Sequence, residues 1–235
     1  MLTYKFDWAI ITSGKYFDWL VSGFYITIKL SAVSIALSFL LGLIIAIMRM
    51  SHLRPVRWFA HGYLEFFRNT PLLVQIFFWY FGSYKVLPAV ANDWLVQQDF
   101  EFAAAVIALT IYTSAFIAED IRSGVRSIPK EQMEAARSSG FSYIRSMQYI
   151  ILPQAVRLTI PPLINQFLNL MKNSSLAMTI GVAELMYQAR QVESYTFKGF
   201  EAFSAATLVY VGISFTITGL MTLYDKKVLQ PLKGR

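Results

Sequence analysis

Cysteine is absent from the 235 residues, and histidine occurs only as His52 and His61. The first absence excludes disulfide frameworks and thiolate metal sites, and the second leaves too few imidazoles for a metal cluster, so no metal site is expected. Charge is scarce too, at 15% of residues against about 25% in soluble domains. No phosphate-binding loop is present: the nearest fragment, Ser13-Gly14-Lys15, lacks the upstream glycine. An H-E-x-x-H helix, paired intramembrane aspartates, a Ser-His arrangement and a carbonyl-rich filter motif are likewise missing, which weighs against a membrane enzyme and against an ion channel. The opening stretch MLTYKFDWAIITSGKYFDWL puts aromatic and acidic residues where a cleaved signal peptide has a basic region and a short apolar core. The first spanning helix is therefore expected to serve as the insertion signal. Retention and lipidation motifs are also missing.

What the chain has in abundance is apolar and aromatic residues: 56% hydrophobic, with 19 Phe, 13 Tyr and 5 Trp, and a mean hydropathy of +0.47. This composition points to an integral membrane protein. Crossing a hydrocarbon core of ~30 Å takes about 20 mostly apolar residues as a helix, the one open-chain element that satisfies its own backbone there. Five spans are expected in a single all-α transmembrane domain over 1–235, at approximately 24–48, 70–90, 102–122, 156–172 and 202–224. The second begins at Thr70-Pro71, a pair suited to a helix start, and Lys29 is placed to snorkel from the first. The moderately apolar stretch KNSSLAMTIGVAELMYQAR, 172–190, is too polar for a further span and is read as a helix at the interface or dipping back into the protein.

Lysine and arginine asymmetry sets the orientation. Arg49, Arg54, Arg57 and Arg68 fall in the loop between spans one and two. Arg122, Arg126, Lys130, Arg137, Arg145 and Arg157 fall between three and four, and Lys226, Lys227, Lys233 and Arg235 follow span five. The other side carries fewer cations, diluted by acids, so the N-terminus is expected outside and the C-terminus inside. This topology accounts for the formal net charge of +7 and gives no support to nucleic-acid binding.

The longest inside loop, expected over about 123–155, holds the polar stretch EAARSSGFSYIRSMQYIILP, Glu134 to Pro153. Ile128-Pro129-Lys130 resembles a helix start, and Gly140 a helix stop. A second helix is expected from about Ser142 to Ile151, ending at Leu152-Pro153. Two short helices at an angle would make a knob projecting from the membrane. Ala135, Ala136 and Gly140 would admit a close partner surface, and Glu134 would offer an acceptor for a cation opposite.

Glu134-Ala135-Ala136, Gly140, Ile150 and Leu152-Pro153, in this register, resemble the EAA loop of the membrane subunits of bacterial ABC importers. The flanks EFFRNTPLLVQIFFWYF (65–81), YTSAFIAEDIRSGVRSIPKEQMEAA (112–136) and LPQAVRLTIPPLINQFLNLMKNSSLAMTIGVAEL (152–185) are similar to permeases for polar amino acids of the histidine/glutamate type, over nearly the whole chain. NLMKNSSLAMTIGV, ESYTFKGFEAFSAATLVYV and the YDKKV tail look most like a glutamate/aspartate permease subunit. The resemblance implies a five-helix type I ABC importer permease fold in the bacterial inner membrane, surrounded by membrane lipid. It implies a second permease subunit, related or identical, beside this one. Two cytoplasmic ATPase subunits would bind ATP and Mg and grip the EAA loops, and a periplasmic binding protein would deliver an amino-acid substrate. No cofactor is expected in this chain.

Candidate pathway residues follow from polar groups at membrane depth, which are costly and usually face a bundle interior or a water-filled cavity. Asn165, Gln166 and Asn169 lie among apolar residues, with Asn165 and Asn169 on one helical face, and Lys172, Asn173 and Ser174 follow. Two readings stand: interhelical hydrogen bonding, or a cavity whose amides meet the ammonium and carboxylate of an amino acid, with Lys172 drawing a second carboxylate and Ser174 and Ser175 adding donors. Lys172 pairing with Glu184 or Glu193 belongs to the structural alternative. Arg68, in Arg68-Asn69-Thr70-Pro71, is either a basic helix entry or a substrate or gating residue. Glu119, Asp120, Arg122 and Arg126 are expected to pair with one another at helical spacing or with solvent.

Overall fold

The computed structural model describes residues 4–88, 90, 93 and 99–224. The basic tail counted above for orientation lies outside the described residues. Among these every regular element is helical. A 3₁₀ turn, Trp8–Ile11, precedes α1 (Lys15–Met50), which is followed by α2 (Arg54–Asn69), α3 (Leu72–Val86) and α4 (Phe100–Arg126). Then come α5 (Lys130–Ser138) and α6 (Tyr143–Ser146), a π turn (Met147–Ile151), α7 (Leu152–Asn173), a 3₁₀ run (Ser174–Ile180), α8 (Leu185–Thr196) and α9 (Gly199–Tyr224).

Among the described residues three stretches, Trp8–Met50, Phe100–Arg126 and Gly199–Tyr224, are long and apolar enough to cross a membrane, and Leu72–Ser83 is apolar but shorter. The first helix begins earlier than expected, at Lys15, and its 36 residues extend about 54 Å at 1.5 Å per residue. Lys29 is thus not at its end; its ammonium lies 5.0 Å from the ring centroid of Phe102. The fourth expected span falls within α7, 22 residues long, whose Arg157, Asn165, Gln166, Asn169 and Lys172 keep its hydropathy low.

The described residues divide into two compact units. The first holds the segments up to Ile35, Leu72–Leu109 and Asn169–Ile217; the second holds Ala36–Pro71, Thr110–Leu168 and the stretch from Thr218 onward. In the first, Leu20 of α1 packs with Leu185, Ala189 and Val192 of α8 and Ala202 and Ala206 of α9. A side chain at Gly23 would stand 2.9 Å from the Leu185 Cα, so glycine permits this approach. The chain before α1 is tied down at Glu201, which accepts from the Tyr4 hydroxyl and from the Asp7 amide.

In the second unit Ile45 and Ala46 of α1, Ala60 and Leu64 of α2 and Ala115 and Ala118 of α4 form one core. Side chains bond carbonyls of α4 from the facing helices: Ser38 Oγ donates to the Thr110 carbonyl at 3.3 Å, and the Tyr63 hydroxyl donates to that of Ile111 at 3.0 Å. The segment expected as a loop between spans one and two is therefore a correction: it is α2, with Pro55 in its first turn. Its inward residues Ala60, Tyr63, Leu64 and Phe67 recur at helical spacing, interleaved with Arg54, Arg57, His61, Glu65 and Arg68. His61 is accordingly a helix residue, beside Arg49 (3.2 Å) and Glu65 (3.7 Å).

A second correction concerns Leu152-Pro153, where a stop was expected. The chain stays helical from Tyr143 to Asn173 by widening into the π turn, whose last bond runs from the Leu152 amide to the Met147 carbonyl. Proline lacks an N–H and crowds the carbonyl four residues back, and one wider turn relieves both problems. The Gln154 side chain donates to the Ile150 carbonyl at 2.8 Å. Pro161 and Pro162 lie within α7 without ending it.

Candidate functional site

The hairpin α5–α6 is closed by Gly140. At φ +86° this residue occupies the left-handed region, which side chains rarely adopt. The Gly140 amide bonds the Arg137 carbonyl at 3.0 Å and the Phe141 amide bonds that of Ala136 at 3.1 Å, the paired closure that satisfies the last carbonyls of a helix. Ser142 opens the next turn, its Oγ accepting from the Arg145 amide. Underneath, Ile128, Ile151 and Ala155 are buried with Val125, Met133, Met147 and Ile150 packed around them. Of the expected coupling residues, Ile150 packs against this core and Ala136 is buried, while Glu134, Ala135, Gly140, Leu152 and Pro153 are exposed. None of the described residues would meet a Cβ at Gly140 within 4 Å, so glycine is required there by backbone geometry and leaves open space in front of it. The exposed Phe141, Tyr143, Ile144 and Tyr149 extend an apolar surface along the same hairpin. Its base is pinned to α4 where Gly124 meets Thr159; a Cβ there would fall 1.9 Å from the Thr159 hydroxyl.

The expected pathway residues separate between the two units. Asn165, Gln166 and Arg68 belong to the second, and Asn169, Lys172, Asn173 and Ser174 to the first. Asn165, Asn169 and Lys172 are exposed, and Asn173 is half-buried. Ser174 is fully buried and its hydroxyl donates to the Met171 carbonyl at 2.7 Å; Ser175 donates likewise to that of Lys172 at 2.7 Å. Both hydroxyls thus donate within the helix end. Glu184 does not pair with Lys172. It is wholly buried as the N-cap of α8, where it accepts from the amides of Met186 (3.0 Å) and Tyr187 (2.7 Å), from the Tyr210 hydroxyl (2.9 Å) and from Thr27 (3.4 Å). Burial pushes its carboxyl above the ordinary range, while these donors act in the opposite direction.

Within the second unit Arg122 pairs with Glu119, as the i,i+3 spacing suggests. Asp120 does not join that pairing: it accepts from Gln166 Nε2 at 2.9 Å, across 46 positions of sequence. Arg68 lies over the Phe116 ring, 5.4 Å from its centroid. Asp120 is thus a functional candidate that helical spacing alone did not single out. Among the described residues no group of three or more His, Cys, Asp and Glu side chains is placed to hold a metal ion.

The sequence matches the family of binding-protein-dependent transport system inner membrane components over residues 38–230. It is 45% identical over 212 residues to the probable glutamine ABC transporter permease protein GlnM of Bacillus subtilis (strain 168), covering 90% of this chain and 94% of that protein. It is 34% identical over 220 residues to the glutamate/aspartate import permease protein GltJ of Escherichia coli (strain K12), covering 92% and 89% respectively. A chain from the crystal structure of an amino acid ABC transporter with histidines superposes with a TM-score of 0.85 at 33% identity, covering 96% of this chain and all of that one. The MetNI methionine ABC transporter in an inward-facing conformation, at 18% identity and a TM-score of 0.68, shares the fold.

Proposed function

The chain belongs to the family of binding-protein-dependent transport system inner membrane components, and from that premise we propose that it is the membrane-spanning permease subunit of an ATP-driven importer of polar amino acids. Its fold is the type I ABC importer permease fold. It works as one transmembrane domain of five spans in a bacterial inner membrane, N-terminus outside and C-terminus inside, paired with a second permease subunit. Hydrolysis of ATP with Mg takes place on two cytoplasmic ATPase subunits, and a periplasmic binding protein supplies the amino acid.

The observation that carries this reading is the hairpin Lys130–Ile151, which presents Glu134, Ala135 and the open side of Gly140 outward while its own core is packed. Because α6 runs through the π turn into α7 without a break, a partner that pushes the hairpin also displaces α7. Nucleotide-driven motion of the ATPase pair then biases the permease between outward-open and inward-open arrangements. Asn165, Gln166, Asn169, Lys172, Asn173, Ser174 and Arg68 border the pathway, Ser174 through its position at the helix end.

For the substrate we favour glutamate or aspartate, on the ground that the exposed Lys172 meets a side-chain carboxylate. The likeness to a glutamine permease at 45% identity makes glutamine the second reading. ATP-dependent uptake of each labelled amino acid, by vesicles holding the assembled transporter with its binding protein, tests both. Lys172→Gln keeps size and a donor but removes the charge, and charge-assisted bonds are worth roughly 1.5–3 kcal/mol. Uptake of glutamate at limiting concentration is expected to fall about tenfold to a hundredfold, and uptake of glutamine to stay level. Unchanged glutamate uptake would remove Lys172 from the site, and no ATP-dependent uptake of any amino acid by the wild-type transporter would refute the permease assignment.

A further inference from the structure

α2 carries two outward edges that its packing does not use. Its packed face is Ala60, Tyr63, Leu64 and Phe67. To one side of that face lie Arg54, Arg57 and His61, spaced by three and four residues, and to the other lie Phe59 and Phe66, about two turns apart. Trp58 falls between the two edges on the side away from the protein, and all three aromatic rings are exposed. A helix that is basic along one edge and aromatic along the other, with the protein at its back, has the pattern of helices that lie in a membrane surface.

The level of α2 fits that placement. It packs on Ile45 and Ala46, about one turn before α1 ends at Met50, and on Ala115 and Ala118, about two to three turns before α4 ends at Arg126. α1 and α4 are both long and apolar enough to cross a membrane, so α2 rests near the ends of two spans. These ends carry Arg49, Arg122 and Arg126, which puts them at the inner surface on the permease reading.

The charges of the basic edge are not used up within the chain. Arg54 is exposed and Arg57 half-buried. The ion pairs among the described residues are His61 with Glu65 and Glu119 with Arg122, and neither Arg54 nor Arg57 enters one. The one acid of α2, Glu65, is thus placed against His61 at 3.7 Å. Arg68, at the far end of the helix, lies over the Phe116 ring and takes no part. The core of a protein–protein interface is depleted of charge, so a protein partner seated on this face would have to bring acids for both arginines. A phospholipid surface offers both requirements at once: phosphates for the guanidiniums and, about 5–10 Å deeper, acyl chains for the rings.

We propose that α2 is an interfacial lipid-binding helix: Phe59 and Phe66 enter the acyl boundary of the inner leaflet, Trp58 sits at headgroup level, and the Arg54 and Arg57 guanidiniums hold the phosphate of an anionic phospholipid. This site rests on the permease reading for its side of the membrane and is separate from the residues assigned there to the pathway and to coupling.

The chain has no cysteine, and a Cβ at Gly62 would meet none of the described residues within 4 Å, so Gly62→Cys can carry a fluorophore beside both edges. The tagged permease is assembled with partner subunits free of reactive thiols and reconstituted as the complete transporter. The vesicles contain phosphatidylglycerol or phosphatidylcholine with brominated chains, which quench on contact. Half-maximal quenching is expected at a phosphatidylglycerol fraction about tenfold below that of phosphatidylcholine. Arg54→Gln with Arg57→Gln should bring the two fractions together, and Arg54→Lys with Arg57→Lys should keep them apart. Phe59→Ser with Phe66→Ser should weaken quenching by both lipids. Equal quenching by the two lipids with the arginines in place, or a preference that survives the double glutamine variant, overturns the site. So does relief of quenching by soluble glycerol phosphate, which would assign the arginines to a free anion. Quenching by neither lipid, the result if a second subunit covers α2, overturns the lipid contact altogether. If the glutamine variant does not assemble, the comparison of the two lipids on the unmutated arginines still decides. Absence of ATP-driven amino-acid uptake by the wild-type vesicles refutes the permease reading instead, and is measured independently of the quenching.

Discussion

The two interruptions of the long helices, the hairpin Lys130–Ile151 and the segment Ser174–Thr196, use the same local turn for opposite ends. Each has a glycine in the left-handed region, Gly140 at φ +86° and Gly181 at φ +95°. Each closes with the same pair of backbone bonds, those of Gly181 and Val182 reaching Met178 and Ala177 at 3.2 Å. Beyond the turn they diverge. After Gly181 the chain buries Val182, Glu184, Leu185, Ala189 and Val192, whereas after Gly140 it exposes Phe141, Tyr143, Ile144 and Tyr149. Turn chemistry is thus neutral with respect to role. What decides it is whether the flanking residues find their partners in this chain or present themselves to another.

The comparison breaks if the buried segment tolerates loss of its anchor. Glu184→Ala leaves amides of α8 and the Tyr210 hydroxyl without their acceptor, and an unpaired buried donor costs about 1–3 kcal/mol. A destabilisation of about 3 kcal/mol or more is expected, visible as a lower thermal midpoint and poor recovery of intact complex. A midpoint equal to wild type would mean that Glu184 is not the anchor. At the exposed hairpin the corresponding acid should matter far less. Glu134→Ala is expected to leave the thermal midpoint unchanged and to weaken ATPase association by about 0–1 kcal/mol, as for a solvent-screened ion pair. Titration of the ATPase onto the detergent-solubilised permease measures this, and a fall in the permease's own midpoint would place Glu134 in its fold.

Much of this contrast was legible in the sequence, because long apolar runs, glycine stops and the register of Glu134, Gly140 and Pro153 are local signals. The helices α1, α4 and α9 follow from apolar length alone. α2 was not legible by that criterion: Ala60, Tyr63, Leu64 and Phe67 alternate with five charged or titratable residues, so any window average is diluted, although the spacing and Pro55 carried the signal. The run through Pro153 was misread because a proline is a stop only where the helix cannot widen. Long-range polar partners were out of reach. Asp120 looked like one of a group with Glu119, Arg122 and Arg126, paired at helical spacing or with solvent, until the fold brought Gln166 to it, and Glu184 looked like a free carboxylate for Lys172 until Thr27 and Tyr210 surrounded it.

The coupling role proposed for the hairpin is tested most directly by Gly140→Asp, which adds a charged side chain in the open space before the turn at a cost of about 1–2 kcal/mol for a side chain in the left-handed region. The quantity to measure is amino acid carried per ATP hydrolysed by the reconstituted transporter, together with the amount of ATPase bound. If Lys130–Ile151 transmits the stroke, ATP hydrolysis should separate from uptake, with the permease still inserted. Normal uptake per ATP with normal ATPase binding would contradict that assignment.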